Sequence, residues 1–390
     1  MTTHALDDKF MARALELARK GIALASPNPH VGAVVVNGAG DVVGEGAHIY
    51  EERKHAEAVA LEKAGEKARG ATLYLNLEPC CHTGRTGPCA DLVIAAGIRR
   101  VVSAMSDPNP LVSGKGLERL RAAGIEVTTG VREQEARKLN EAFAKWIHTH
   151  EPLVTLKAAM TLDGRIAPAP MDSRAPSGTQ VPRGWITSAD ARAHVQELRH
   201  ASDAIMVGVG TIIADDPLLT DRTGRPRRRP LQRVVLDSRL RIPLDSKIIE
   251  SAHGDVVIFC SFADTGRRRE LEQRGIRIEQ VRHTGMASRP DLREVVRRLG
   301  EMEITSLMIE GGAMVNWTAM VAGIPDKVFF YYAPRILGGS QAVPYAAGMG
   351  YKRVQDAPHV QCLTLHRFGE DFAVEGYLRD PYASGDPAIG

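Results

Sequence analysis

The chain has 390 residues, 44% of them hydrophobic and 25% charged, which is the balance of a globular protein too long for one ordinary core. A net charge of +3 and an aromatic content of 5% argue against a nucleic-acid partner, since such surfaces need basic, aromatic-lined channels. No apolar run approaches the ~18–20 residues that cross a bilayer, and the N-terminus has no signal-peptide pattern, so no membrane partner is expected and the cytoplasm is the expected compartment.

In chain order, Met11, Ala14, Leu15, Ala18 and Ile22 recur at helical spacing after Asp7-Asp8, which can cap a first turn. That helix should end near Gly21. Ser26-Pro27-Asn28-Pro29 reads as a turn, Val31 to Val36 as a strand, and Asn37 to Asp41 as a hairpin loop leading into Val42-Val43. His48 follows. His55-Ala56-Glu57 opens a helix, Thr72 to Leu75 is a strand, and Cys89 stands before a helix from Ala90 to Ala96. Strand Val101-Val102, helix Gly116 to Ala123, strand Ile125 to Val127 and helix Glu133 to Ile147 continue the alternation. The result is an α/β domain over residues 1–150.

His148-Thr149-His150-Glu151-Pro152 breaks the last helix, and a second alternating domain is expected over 151–380. It begins with strand Leu153 to Leu156 and ends with paired strands, Val328 to Tyr332 and Phe372 to Tyr377. Ala169 to Pro182 is rich in Pro, Ser and Gly and reads as a mobile loop, and the residues from Pro381 as a frayed tail.

The chemistry concentrates between His55 and Cys89. Three of the five cysteines (Cys80, Cys81, Cys89) crowd this stretch, which suits a metal site in a reducing compartment better than a disulfide framework. His55, Cys80 and Cys89 can hold Zn²⁺ with three protein ligands, leaving a fourth position for water, the arrangement of a catalytic zinc. Glu57 can lie beside the metal without ligating it and shuttle protons. His-x-Glu followed by Pro-Cys and a second Cys is the signature of zinc-dependent nucleobase deaminases, although two residues usually separate the cysteines and here there are eight. A helix start at Cys89 would favour its thiolate.

In the second half, Val207-Gly208-Val209-Gly210-Thr211 leads to Ala214-Asp215-Asp216-Pro217, and Glu310-Gly311-Gly312 follows strand Ser306 to Ile309. Glycines at strand-to-helix turns let backbone amides approach a phosphate. Neither stretch is Gly-x-Gly-x-x-Gly, so an ordinary Rossmann fingerprint is absent.

Taken together, these motifs resemble one family. Pro27-Asn28-Pro29-His30-Val31-Gly32, His55-Ala56-Glu57, Leu77 to Cys89, Asp107-Pro108-Asn109-Pro110 and Gly114-Lys115-Gly116 are similar to the pyrimidine deaminase of riboflavin biosynthesis, which also has eight residues between its zinc cysteines. Leu156-Lys157, Leu162-Asp163-Gly164-Arg165, Trp185-Ile186-Thr187, Ala214-Asp215-Asp216-Pro217, Leu236-Asp237-Ser238 and Glu310-Gly311-Gly312 are similar to the reductase usually fused to it. The resemblance implies a cytidine-deaminase-like α/β/α zinc domain followed by a dihydrofolate-reductase-like α/β domain, with Zn²⁺ and NADPH as cofactors. It implies deamination of 2,5-diamino-6-ribosylamino-4(3H)-pyrimidinone 5′-phosphate, then reduction of ribosyl to ribityl.

By the same resemblance, Asn28, His48, His82 and Arg85 contact the base or phosphoribosyl group of the first substrate. Ala159, Trp185, Thr211, Asp215, Ser238 and Gly312 surround NADPH, while Lys157, Arg199, Leu219, Arg222 and Glu310 line the second substrate's side. Small pyrimidine ribosyl phosphates are the expected partners, and a homo-oligomer, dimer or tetramer, the expected assembly.

The chain departs from the family pattern at three places. Cys81 stands where a small Ser is usual, Gly87 where a Pro is usual, and the link before Trp185 is the longer Ser177-Gly178-Thr179-Gln180-Val181-Pro182-Arg183-Gly184. That last feature leaves open an active deaminase whose reductase-like half serves only binding or regulation. A tRNA or nucleoside deaminase with an unrelated appendage is a further alternative, disfavoured by the low aromatic content.

Overall fold

The computed structural model describes residues 3–81, 87–169, 184–285 and 288–383. They divide into two compact units, one of residues up to His150 with Pro226–Arg229 and the segment from Pro381, the other of Glu151–Arg225 and Pro230–Asp380. His82, Arg85 and, apart from Ala169 itself, the expected mobile loop Ala169 to Pro182 lie outside the described residues.

The first unit runs α1 (Thr3–Arg19), β1 (Gly32–Val36), β2 (Val42–Ala47), α2 (Ala56–Ala64), β3 (Thr72–Leu75), α3 (Cys89–Ala95), β4 (Arg100–Ser103), α4 (Lys115–Ala122), β5 (Glu126–Thr129) and α5 (Glu133–Thr149). Its sheet has the order β2-β1-β3-β4-β5, with β1 antiparallel to both neighbours and β3, β4 and β5 parallel. Every residue of β1 is buried, as its unbroken run of small and β-branched residues requires of a strand covered on both faces.

Register shows how that covering is built. Gly32 pairs with Ala47 and Ala33 with Gly46, so Gly32 and Gly46 point to opposite faces. A Cβ on Gly32 would lie 2.0 Å from the Ala14 carbonyl of α1, and one on Gly46 would lie 2.0 Å from the Ala56 carbonyl of α2. The two helices therefore sandwich the sheet, each touching it backbone to backbone. The contact at Gly46 brings the head of α2, with His55 as its N-cap residue, down onto β2.

Asp7 and Asp8 do not cap α1, which starts four residues before Asp7 at Thr3. Both carboxylates are spent on guanidinium groups instead. Buried Asp7 accepts from Arg100 on β4 at 2.7 and 2.8 Å and from the Tyr74 hydroxyl on β3 at 2.9 Å. Asp8 accepts from Arg132 at 2.9 and 3.0 Å. Arg100, by hydrogen bonding, holds the Asp7 carboxyl below its ordinary range against the opposing effect of burial.

The second unit comprises β6 (Leu153–Thr161), β7 (Arg165–Ala167), α6 (Ala189–Ala201), β8 (Ala204–Gly208), α7 (Val209–Asp215), β9 (Gln232–Leu236), α8 (Lys247–Glu250), β10 (Val256–Cys260), α9 (Thr265–Glu272), β11 (Arg277–Gln280), β12 (His283–Thr284), β13 (Arg289–Pro290), α10 (Leu292–Glu301), β14 (Ser306–Ile309), α11 (Ala313–Val321), β15 (Lys327–Ala333), β16 (Val343–Pro344), β17 (Gln361–Phe368) and β18 (Asp371–Tyr377). Nine strands form one sheet in the order β11-β10-β9-β8-β14-β6-β15-β18-β17. Its members are parallel except at β18, antiparallel to both β15 and β17. Alternation along β8 feeds two cores, with Ala204 and Met206 in one and Ile205 and Val207 in the other.

This predicts that Gly46→Ala displaces the head of α2. Real Cβ contacts do not approach 2.0 Å, so the helix must lift from the sheet, at an overpacking cost of roughly 1–3 kcal/mol. Metal analysis and thermal melting should show less zinc per chain and a lower midpoint. Wild-type values of both would show that this contact does not set the helix.

Candidate active sites

The first cluster draws its residues from four places in the first unit. His55 caps α2, Glu57 lies in its first turn, Cys80 follows β3, and Cys89 is the first residue of α3. Ligand atoms of His55, Cys80 and Cys89 all lie within 4.8 Å of one another. His55 Nδ1 is 3.1 Å from Cys89 Sγ and 3.6 Å from Cys80 Sγ. Nitrogen and sulfur ligands on a tetrahedral zinc stand about 3.5 Å apart, given Zn–N and Zn–S bonds of about 2.1 and 2.3 Å. The trio therefore fits zinc in donor type and spacing, with one position left over. Among the described residues, no other group of His, Cys, Asp or Glu gathers in this way, and Cys81 is not part of it.

Hydrogen bonding with Cys89 and His55 draws the Cys80 thiol well below its ordinary range against the cost of burial. Glu57 is 3% exposed, and burial pushes its carboxyl up, opposed chiefly by the charge of His55. A carboxyl so placed exchanges protons more readily near neutrality than one in water.

Two of the sequence-predicted substrate residues meet beside this trio. The His48 ring stands edge-on to that of His55, 5.6 Å between centroids. His48 Nδ1 is 2.9 Å from the Lys54 carbonyl, which can only accept, so Nδ1 carries the proton. Burial favours the neutral ring, and Nε2 then accepts from the Asn28 amide at 3.0 Å. Asn28 is thereby oriented with its carbonyl oxygen free of this bond.

Glu78 is a residue whose role sequence reasoning missed. It is 3% exposed, and its two oxygens accept from the backbone amides of Asp107, Gly114, Gly116 and Leu117 at 3.0, 2.8, 2.8 and 3.2 Å. It thus ties the Asp107–Leu117 segment to the stretch that carries Cys80. Its only sequence signal was its position two residues before that cysteine.

The second cluster lies in the second unit. Thr211, Ser238 and Glu310-Gly311-Gly312 follow the C-terminal ends of β8, β9 and β14, adjacent parallel strands of the sheet. That edge is where open α/β sheets bind ligands. The Gly312 amide donates to Thr211 Oγ1 at 3.2 Å, and Gly311 has φ +100°, a backbone state natural only to glycine. Gly312 is the N-cap residue of α11, and the first amides of a helix lack partners within it, a donor set that fits a nucleotide phosphate.

Beside them, Arg199 of α6 grips Glu310 with two bonds of 2.7 and 2.9 Å, and Lys157 Nζ of β6 is 3.8 Å from the same carboxylate. Burial alone would raise Glu310, but Lys157 and Arg199 hold it down at about 2. For Lys157 burial wins over the opposing charge of Glu310 and lowers the amine, with the Arg199 charge adding to the drop. Lys157 also lies over the Tyr331 ring at 5.9 Å. Ala159 is on β6 opposite Tyr331. The remaining predicted residues are more scattered: Trp185 is 71% exposed with Arg192 over its ring, Asp215 ends α7, and Leu219 and Arg222 belong to the loop that follows it.

Fold and sites define a two-part enzyme, a zinc-type deaminase domain joined to an α/β reductase domain. Residues 4–105 match the cytidine and deoxycytidylate deaminase zinc-binding region, and residues 152–374 match the RibD C-terminal domain. The riboflavin biosynthesis protein RibD of Actinobacillus pleuropneumoniae is 39% identical over 376 residues, 96% of each chain. That of Escherichia coli is 39% identical over 377 residues, 94% of this chain and 97% of its own. Among solved structures, RibD of Acinetobacter baumannii is similar with a TM-score of 0.80 and 34% identity, covering 96% of this chain and 99% of its own. The Thermotoga maritima diaminohydroxyphosphoribosylaminopyrimidine deaminase/5-amino-6-(5-phosphoribosylamino)uracil reductase is similar with a TM-score of 0.79, 34% identity and the same coverage.

The chain belongs to the RibD family. It is a bifunctional deaminase and reductase of riboflavin biosynthesis that uses zinc and NADPH. The readings in which the second half has lost its chemistry, or is an unrelated appendage, are thereby set aside.

Metal analysis provides a direct check on the ligand set. Cys81→Ser should retain full zinc occupancy and Cys89→Ser should lose most of it. Normal zinc in Cys89→Ser would remove that residue from the site.

Proposed function

We propose that the chain deaminates 2,5-diamino-6-ribosylamino-4(3H)-pyrimidinone 5′-phosphate and then reduces the product's ribosyl group to ribityl, the first step within 1–150 and the second within 151–380. The observation that carries the first assignment is the gathering of His55, Cys80 and Cys89 beside buried Glu57. His55, Cys80 and Cys89 hold the zinc, which when bound lowers the pKa of a water toward ~7. Glu57 accepts a proton from the attacking water, passes one to the ring nitrogen and returns one to the departing ammonia. Asn28 and His48, with His82 and Arg85, orient base and phosphoribosyl.

In the second step NADPH supplies a hydride. Thr211 and Gly312, with Ala159, Trp185, Asp215 and Ser238, bind and orient it. Lys157, Arg199, Glu310, Leu219 and Arg222 face the ribosyl substrate, and the Arg199–Glu310 pair fixes the direction of the Lys157 ammonium. We further infer a homo-oligomer, dimer or tetramer, supported by Leu363 and Leu365 exposed on the edge strand β17. A cytoplasmic location is supported by five cysteines of which none is in a disulfide. No helix among the described residues is long and apolar enough to cross a membrane.

Mass spectrometry of products from the diaminopyrimidine phosphate, with and without NADPH, tests the sequence of steps. Without NADPH only the deaminated ribosyl compound should form, and with it the ribityl compound. Glu57→Gln should keep zinc and lose deamination by ~10²–10⁴-fold, yet still reduce deaminated substrate added from outside. Asp215→Ala with Gly312→Val should deaminate and accumulate the ribosyl intermediate, and mixing the two variants should restore the ribityl product. A Glu57→Gln protein with intact zinc that cannot reduce added intermediate would overturn the two-site reading.

A further inference from the structure

The loop from Leu219 to Arg225 has no helix or strand of its own, yet α6 fixes its course from one side. Arg199 Nη1 donates to the Thr220 carbonyl at 3.0 Å, and the Arg222 amide donates to Gln196 Oε1 at 2.9 Å. Between these two backbone ties, His200 Nδ1 meets Asp221 Oδ2 at 2.8 Å. Both side chains are buried, 4% and 7% exposed. The other Asp221 oxygen accepts from the Thr223 amide at 2.9 Å and its hydroxyl at 2.8 Å. Asp221 is thus held inward, while its neighbour Arg222 is exposed and lies near enough for its charge to help lower Glu310.

Leu219, at the start of the loop, is buried with φ +55°, a left-handed state that a leucine adopts only where its surroundings impose it. One end of the loop is therefore strained and the other is pinned. A buried, hydrogen-bonded pair is the kind of contact that specifies one arrangement over its alternatives, since leaving either partner alone in the interior is costly.

We propose that His200 and Asp221 are positioning residues of the reductase, holding the loop so that Leu219 and Arg222 meet the ribosyl phosphate substrate. This rests on the reading that Leu219 and Arg222 line the substrate's side. Neither member of the pair touches the substrate itself. With Asp221 drawn in by His200, exposed Arg222 stays within electrostatic reach of Glu310, where it can select an anionic substrate. Without the pair, the backbone ties from Gln196 and Arg199 and the Asp221–Thr223 bonds remain, but the bond that draws the Asp221 side chain toward α6 is lost.

The test is steady-state reduction of the deaminated ribosyl phosphate by full-length protein with NADPH. His200→Ala and Asp221→Ala should each raise KM for the ribosyl substrate about tenfold, leaving kcat and KM for NADPH near wild type. The double variant should be no worse than either single, because one interaction is being removed. His200→Asn, whose amide nitrogen takes the place of Nδ1, should restore KM, which a merely space-filling role would not require. NADPH binding confirms that each variant's second unit is folded. A wild-type KM in His200→Ala, or an equal loss in the Ala and Asn variants, overturns the proposal.

Arg222→Ala separates this inference from the reading beneath it. If Arg222→Ala raises KM and His200→Ala does not, the pair's role falls and the Arg222 assignment stands. If His200→Ala alone raises it, the pair acts through Leu219 and the Arg222 assignment falls. If neither changes KM, both fall.

Discussion

The deaminase site depends on how closely α2 can approach β2. A zinc trio drawn from a helix cap, a post-strand loop and a helix start forms only if those three pieces converge to within a few ångströms. Two sheet glycines make that possible, because a Cβ on Gly44 or Gly46 would sit 2.1 or 2.0 Å from a carbonyl of α2. The helix therefore rests on the sheet's backbone rather than on its side chains. His55 at its cap and Glu57 in its first turn inherit their positions from that contact. From the other side Glu78 ties the segment before Cys80 to the Asp107–Leu117 chain through four backbone amides. The ligands are thus set by backbone contacts, which have fewer ways to relax than side-chain contacts do.

The second unit solves a different problem, since it buries charges rather than gathering metal ligands. Glu310, Arg199 and Lys157 carry an excess positive charge in a site where water is scarce. The carboxylate stays ionised because two cations face it, whereas the amine is pulled downward by burial and by the Arg199 charge against the pull of Glu310. Such an arrangement suits a phosphorylated, electron-rich substrate, which supplies the negative charge the triad lacks. It also explains why the neighbouring loop needs its own anchor: an exposed arginine near this cluster would otherwise be repelled from Lys157 and Arg199.

Much of this was legible in the sequence, and the reasons are local. The convergence of His55, Cys80 and Cys89 could be read because metal ligation demands particular residue types, and strands Thr72–Leu75 and Ser306–Ile309 because short apolar runs bounded by turn residues leave little choice. Asp7 and Asp8 misled because an acidic pair before an apolar stripe signals a cap, while the arginines that claim them, Arg100 and Arg132, are remote in sequence. Glu78 and the His200–Asp221 pair were invisible for the same reason: their meaning lies in backbone amides or loops that folding alone brings near. The edge strand β17 also escaped notice, since Gln361–Phe368 is mostly exposed and lacks a clean alternation.

The unusual spacing of the cysteines has its own physical account. When two residues separate paired cysteines, one tight turn can aim both thiolates. With eight residues between them, a turn cannot do so, and some other device must hold Cys80. The start of α3 provides it. The Cys89 amide donates to Cys80 Sγ at 3.3 Å, and the Ala90 amide donates to the Cys80 carbonyl at 3.1 Å. These are among the first amides of a helix, which have no partner within the helix itself. The helix that carries one thiolate therefore also grips the other. Cys81, adjacent to Cys80, stays outside the trio that His55, Cys80 and Cys89 form.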